Sequence, residues 1–101
     1  MDMKALMEQA KNLQSKVTAA QETLGKTTVK GIAGNGLVIV TLTGKYDLVP
    51  DGLVINPDLL KEDLATITAM ISSAYIDAKA KADALIDKVM GEATAGMPMP
   101  E

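Results

Sequence analysis

An apolar stripe along the first two dozen residues constrains the fold more than any other feature of the chain. It consists of apolar residues at alternating steps of three and four: Met3, Leu6, Ala10, Leu13, Val17, Ala20 and Leu24. Side chains spaced in this way share one face of an α-helix. A helix over residues 2–24 would be about 33 Å long, and Gly25 is placed to end it. A chain of 101 residues has little else of that length to cover the stripe. We therefore expect this helix to need a partner, most simply a second copy of the chain.

The middle of the chain has the pattern of an antiparallel hairpin followed by a third strand. Residues 27–33 and 37–43 are rich in β-branched side chains, and the turn signal Gly34-Asn35-Gly36 separates them. Because a strand rather than a helix follows these glycines, we interpret them as hairpin geometry and not as a phosphate-binding loop. A third strand is predicted over residues 46–55. It is broken at Pro50-Asp51-Gly52, where the missing proline N–H predicts a bulge or an edge position.

A second long helix is predicted after the strands. Asn56-Pro57 is a helix start signal, and after a short turn Asp63 is placed to cap a new helix. Its apolar residues again alternate at steps of three and four: Leu64, Ile67, Ile71, Ala74, Ala78, Ala82, Leu85 and Val89. The spacing of the two stripes is that of helices that pack against each other. Residues 91–101 are rich in Gly, Pro and Met, and we expect them to be frayed.

Together these elements predict an α+β fold in a single domain. It comprises a helix, a three-stranded antiparallel meander and a long helix over residues 1–94, with a flexible tail over residues 95–101. The core or a dimer interface is expected to contain Leu6, Leu13, Val17, Leu24, Val38, Val40, Leu64, Ile67, Ile71 and Leu85.

Composition argues against several classes of function. The chain has no His and no Cys, so the commonest catalytic bases, nucleophiles and thiolate metal ligands are missing. We expect no enzyme activity, no metal, no cofactor and no small-molecule substrate. No apolar run has the length of a membrane span, and the first ten residues are too polar for a secretory signal, so a cytoplasmic location is expected. The net charge of −3, with ten lysines and no arginine, counts against nucleic acid as a partner without excluding it.

The ordered motifs of the chain resemble those of the YbaB/EbfC family of bacterial nucleoid-associated proteins. The resemblance covers almost the whole length, and the order and spacing of the motifs carry it. They are Leu6-Met7, Gln9-Ala10 and Leu13-Gln14, the glycine-punctuated segment Gly31–Gly44, the junction Ile55–Leu60, the residues Ala74, Asp77 and Ala78, and the segment Ala95–Pro98. The chain departs from the family pattern at Ile76, where Asn is usual, and in carrying no arginine on its helices.

The resemblance implies an αβββα protomer, a tight homodimer whose helices project like tweezers, and weakly sequence-dependent binding of double-stranded DNA in the nucleoid. It also implies a role in nucleoid organisation or gene regulation. The candidate phosphate contacts are Lys4, Lys11, Lys16, Lys79, Lys81 and Lys88. These lysines are equally compatible with a solvated helix face with local ion pairs, such as Asp77 with Lys81 four residues on. The alternative function is a structural or adaptor dimer that binds another protein, with the Met-rich tail as one candidate site.

Overall fold

The computed structural model describes residues 2–95 and confirms the predicted αβββα order. The elements are α1 (Met3–Lys26), β1 (Thr28–Ala33), β2 (Val38–Thr43), β3 (Leu48–Ile55) and α2 (Leu64–Ala93), with 3-10 turns at Gly34–Gly36 and Pro57–Lys61. The strands form one antiparallel sheet in the order β1-β2-β3. Both helices start at a capping carboxylate, because Asp2 accepts from the Lys4 N–H and Asp63 from the Thr66 N–H. Hydrogen bonds from the side chain and then the backbone N–H of Thr66 lower the pKa of Asp63.

The two helix ends differ from the sequence expectation. Gly25 does not stop α1, because Thr27 ends the helix by donating both its N–H and its hydroxyl to the Thr23 carbonyl, at 3.0 and 2.7 Å. The expected fraying from residue 91 is wrong for the first three residues, because α2 continues through Ala93 and the Thr94 N–H and hydroxyl donate to the Met90 carbonyl. The expectation for residues 96–101 lies outside the described residues.

Strand β3 contains the predicted bulge at the sheet edge. Val40 pairs with Leu53, and Leu42 pairs with Leu48. Two residues further along β2 thus correspond to five residues along β3, and the extra residues of β3 form the bulge. Asp51, within this bulge, has a left-handed φ of 58°. The strand begins at Leu48 rather than at the predicted residue 46, because the turn from β2 occupies the preceding residues.

The core lies between α2 and the strands β1 and β2. Val38, Val40 and Leu42 on β2 are buried against Ala74 and Ala78 of α2, and they form one cluster with Leu59. Among the expected core or interface residues, Ile67 and Ile71 pack at the margin of this cluster. The helix lies close to the sheet because β1 presents Gly31, where a Cβ atom would lie 2.0 Å from the Ala74 carbonyl oxygen. Small residues on both sides thus set the separation of the two layers.

The stripe of α1 meets α2 at the C-terminal end of α1, at residues outside the second predicted stripe, whose Ala74 and Ala78 pack on the sheet instead. There Leu24 is buried near Ile86 and Met90 of α2. Leu13, Val17 and Leu85 are half-buried, whereas every residue from 2 to 12 is exposed, Leu6 among them. Leu64, at the start of α2, is 78% exposed.

The described protomer is elongated because α1 extends past the core. Its dimensions are 68 × 26 × 16 Å and its radius of gyration is 19.1 Å. A compact domain of this size has a radius of gyration of about 13 Å. The protomer therefore leaves helix surface uncovered that a compact domain would bury.

Candidate nucleic-acid interface

Three candidate lysines lie on the projecting part of α1, which we call the arm (residues 2–19). Lys4, Lys11 and Lys16 are all exposed. In the described part of the chain, the ion pairs join Lys61 to Asp58 and Lys81 to Asp77, so neither involves the arm. The arm ammonium groups are therefore open to solvent and to an anionic partner.

The three candidate lysines on α2 are in different surroundings. Lys79 and Lys88 are exposed on the helix surface. Lys81 instead reaches the sheet, where its Nζ donates to the Lys30 carbonyl oxygen at 2.8 Å and lies 3.1 Å from Asp77 Oδ2. The predicted pair of Asp77 and Lys81 is thus present, and the structure assigns Lys81 a structural contact in addition.

Asp77 and Lys81 together bind the outer edge of β1, and we call this pair the clasp. Asp77 Oδ2 accepts from the Ile32 N–H at 2.9 Å, so the clasp pairs one outward N–H and one outward carbonyl of an edge strand. The hydrogen bond from the Ile32 N–H is the main cause that lowers the pKa of Asp77, and the hydrogen bond from Lys81 is the next. Unpaired strand edges recruit other chains, so a clasp of this kind protects the sheet. Sequence spacing indicated the ion pair but contained no signal for its strand partner.

An apolar groove lies on the opposite side of α2, between that helix and β3. Its volume is about 520 Å³, and its lining includes Leu48, Leu53, Tyr75 and Ile76. Ile76 is 65% exposed and Leu48 54% exposed, because α2 covers β1 and β2 but leaves β3 open. Such large exposed apolar side chains are typical of a surface that another protein surface covers.

A tyrosine joins the turn before β3 to α2 at one end of this groove. The Tyr46 hydroxyl donates to Asp83, and this hydrogen bond raises the pKa of Tyr46 above its usual value. The turn is tight, since Tyr46 has a left-handed φ of 67°. No sequence pattern indicates the groove or this contact, because both depend on residues far apart in the chain.

Comparison with known proteins identifies the relatives of this chain. The model of the YbaB/EbfC DNA-binding family matches residues 1–97. This chain belongs to that family. A nucleoid-associated protein of Brucella ovis is 42% identical over 100 residues, covering 98% of this chain and 92% of the relative. A nucleoid-associated protein of Gluconobacter oxydans is 41% identical with the same coverage.

A solved structure supports the fold. The crystal structure of an uncharacterized protein from Helicobacter pylori superimposes with a TM-score of 0.78 at 22% identity, covering 91% of this chain and 96% of that one. YbaB/EbfC is a DNA-binding and not an enzyme family, as expected from the missing His and Cys. Within residues 2–95 no group of three or more carboxylates is placed to hold a metal ion, and neither helix is long and apolar enough to cross a membrane.

Proposed function

We propose that this protein is a homodimeric, nucleoid-associated DNA-binding protein that contacts the duplex backbone through helix lysines. Its affinity is largely independent of sequence, and it acts in nucleoid organisation or gene regulation. The observation that carries the proposal is membership of a DNA-binding family over residues 1–97, in a chain whose projecting helix holds three solvent-open lysines. Location in the bacterial nucleoid follows from the same relatives.

The chemistry of the exposed side chains favours phosphate contacts. Lysine is a compact point charge, and each phosphate that it neutralises releases condensed counterions. The chain contains no arginine, whose planar fork makes the commonest specific contact with guanine. Binding dominated by the backbone is the consequence. On α2 we assign this role to Lys79 and Lys88 ahead of Lys81, because the clasp already holds Lys81.

The uncovered apolar surface supports the dimer. The groove between α2 and β3 exposes Leu53, Tyr75 and Ile76, and the part of the apolar stripe within residues 2–12 is exposed in the described protomer. A second copy that covers both surfaces would remove their apolar area from water, and this burial stabilises the dimer by roughly 25 cal/mol per Å². A dimer also brings two arms to one duplex, which raises affinity without any new type of contact.

Fluorescence anisotropy with a labelled duplex across a salt series tests the DNA contacts. The logarithm of affinity should fall linearly with the logarithm of salt concentration, with a slope of about −0.9 per phosphate contact. Lys4→Gln with Lys11→Gln should weaken binding and make the slope shallower. Lys61→Gln, which removes one lysine charge from the turn before α2, is the control for each of the two substitutions and should change neither. If wild-type protein binds no duplex at low salt, DNA binding is refuted and the adaptor function takes its place.

Sedimentation equilibrium tests the dimer separately from DNA. Ile76→Asp places a carboxylate in the groove, and we expect it to produce folded monomers, since an unpaired charge cannot be buried in an apolar interface. Leu60→Asp, at a residue that is equally exposed but does not line the groove, should remain dimeric. Wild-type protein that sediments as a monomer would refute the homodimer.

A further inference from the structure

The arm carries a second regular row of side chains besides its apolar stripe. Residues at alternating steps of four and three form it, and we call it the amide strip: Ala5, Gln9, Asn12, Lys16, Ala19 and Thr23. All six residues are exposed. The strip contains no carboxylate, whereas the neighbouring face with Lys4 and Lys11 also carries Glu8 and Glu22. An anionic partner on this face therefore meets no carboxylate within the strip itself, and Glu8 borders the strip on one side.

The position of the amide strip leaves it open to a large partner. On a helical wheel the strip lies about 100° from the apolar stripe, so the packing of Leu24 against α2 does not cover it. The arm is a single helix, and a helix with its side chains is about 10–12 Å across, which matches the major groove of B-DNA. The small residues Ala5 and Ala19 allow this face to approach a surface closely.

The functional groups of the strip match one type of base pair. A primary amide has an adjacent acceptor and donor, which pair with the N6 amino group and N7 of adenine. Guanine presents two acceptors at the same positions, so one amide cannot satisfy both. An alanine methyl group packs against the thymine methyl group, and a lysine contacts the adjacent phosphate.

We propose that the amide strip enters the major groove and gives this protein a preference for A·T base pairs. Gln9 and Asn12 pair with adenine, Ala5 contacts a thymine methyl group, and Lys16 holds the backbone. This inference rests on the proposed DNA binding and adds a base preference to binding that the backbone contacts dominate. The preference is about fivefold or more, the lower end of what one bidentate pair provides.

Competition between two short duplexes of equal length tests the inference with the full chain. One duplex is alternating A·T and the other alternating G·C, and a third replaces adenine by 7-deazaadenine, which lacks the N7 acceptor of the major groove. Wild-type protein should prefer the A·T duplex to both of the others. Gln9→Ala with Asn12→Ala should reduce the affinity for A·T to that for G·C and leave the salt slope unchanged.

Gln14→Ala with Gln21→Ala is the matched control, because it removes two exposed amides from the other side of α1 and should keep the preference. Lys16→Gln should weaken binding to all duplexes together. Equal wild-type affinity for the A·T and G·C duplexes overturns this inference while DNA binding stands. So does a preference that survives in the Gln9 and Asn12 variant. Absence of binding to every duplex at low salt refutes the DNA-binding function itself, and the inference with it.

Discussion

Replacing Gly31 by alanine tests the packing that places α2 on the sheet. In the structure an added Cβ atom would lie 2.0 Å from the Ala74 carbonyl oxygen and 2.3 Å from the Ala78 N atom. Both neighbours are helix backbone, which cannot rotate away as a side chain can. The helix must therefore retreat by about 1 Å or more to restore an ordinary contact distance.

The retreat of α2 has a cost that the local distances indicate. The hydrogen bonds of the clasp to β1, 2.9 and 2.8 Å in length, would lengthen to about 3.8 Å and be lost. The buried contacts of Ala74 and Ala78 would open at the same time. Overpacking of this severity costs about 3 kcal/mol. For a chain of this length that loss lowers the melting temperature by about 12 °C or more.

Thermal denaturation followed by circular dichroism measures the effect, with every variant at one protein concentration because dimer stability depends on it. Gly91→Ala is the matched control. Gly91 lies in α2, and a Cβ atom added there would meet nothing within 4 Å. It should stabilise the protein by about 0.5–1 kcal/mol through helix propensity. A Gly31→Ala variant with the same melting temperature as the wild type would contradict the close approach of α2 to β1.

Three further measurements test other contacts of the fold. Because the pKa of Asp77 is lowered in the folded protein, its carboxylate stabilises the fold fully above the ordinary pKa of 3.8. This stabilisation is lost as pH falls through the lowered pKa of the folded protein. Asp77→Asn should therefore lose less melting temperature on acidification than wild type, and an equal loss would contradict the clasp. The pKa of Tyr46 is raised, so the stabilisation from its hydrogen bond is present below the ordinary pKa of 10.0 and is lost as pH rises through the pKa in the folded protein. Asp83→Asn should lower the titration midpoint of one tyrosine in an ultraviolet titration. Unchanged midpoints would contradict the hydrogen bond. Leu59 is fully buried, so Leu59→Ala should cost about 2–5 kcal/mol in chemical denaturation, and a loss no larger than that of the exposed control Leu60→Ala would contradict its place in the core.

The sequence predicted the features of this fold that neighbouring residues determine. The caps Asn56 and Asp63 start the 3-10 turn and α2, because a capping side chain acts on a backbone N–H two or three residues away. Gly34–Gly36 forms the turn between β1 and β2 as predicted, with three consecutive left-handed residues. Local rules predict a helix end at Gly25, but hydrogen bonds from Thr27 end the helix without a left-handed residue.

The sequence could not predict features that arise from contacts between distant residues. The close approach of Gly31 to Ala74 joins positions 43 residues apart, and no local signal separates such a glycine from one in a turn. For the same reason the sequence pattern of Lys81 does not indicate that its Nζ lies against the Lys30 carbonyl. The groove beside β3 follows from the lateral position of α2 on the sheet, which periodicity does not determine.

The separation of charge along the molecule reconciles an acidic chain with the proposed binding of DNA. The arm carries three lysines and two carboxylates, whereas the rest of the chain carries seven lysines and eleven carboxylates. Repulsion between that remainder and a duplex is screened over a Debye length of about 8 Å at physiological ionic strength. The exposed residues 2–12 extend over about 15 Å of helix, so a duplex held along the arm lies more than a Debye length from much of the body, whose carboxylates then repel it only weakly. Because the side-chain charge is +1 on the arm and −4 on the rest of the chain, extension of the arm favours the proposed binding of DNA. The elongated shape of the protomer, and not its net charge, is therefore the property that supports the proposed function.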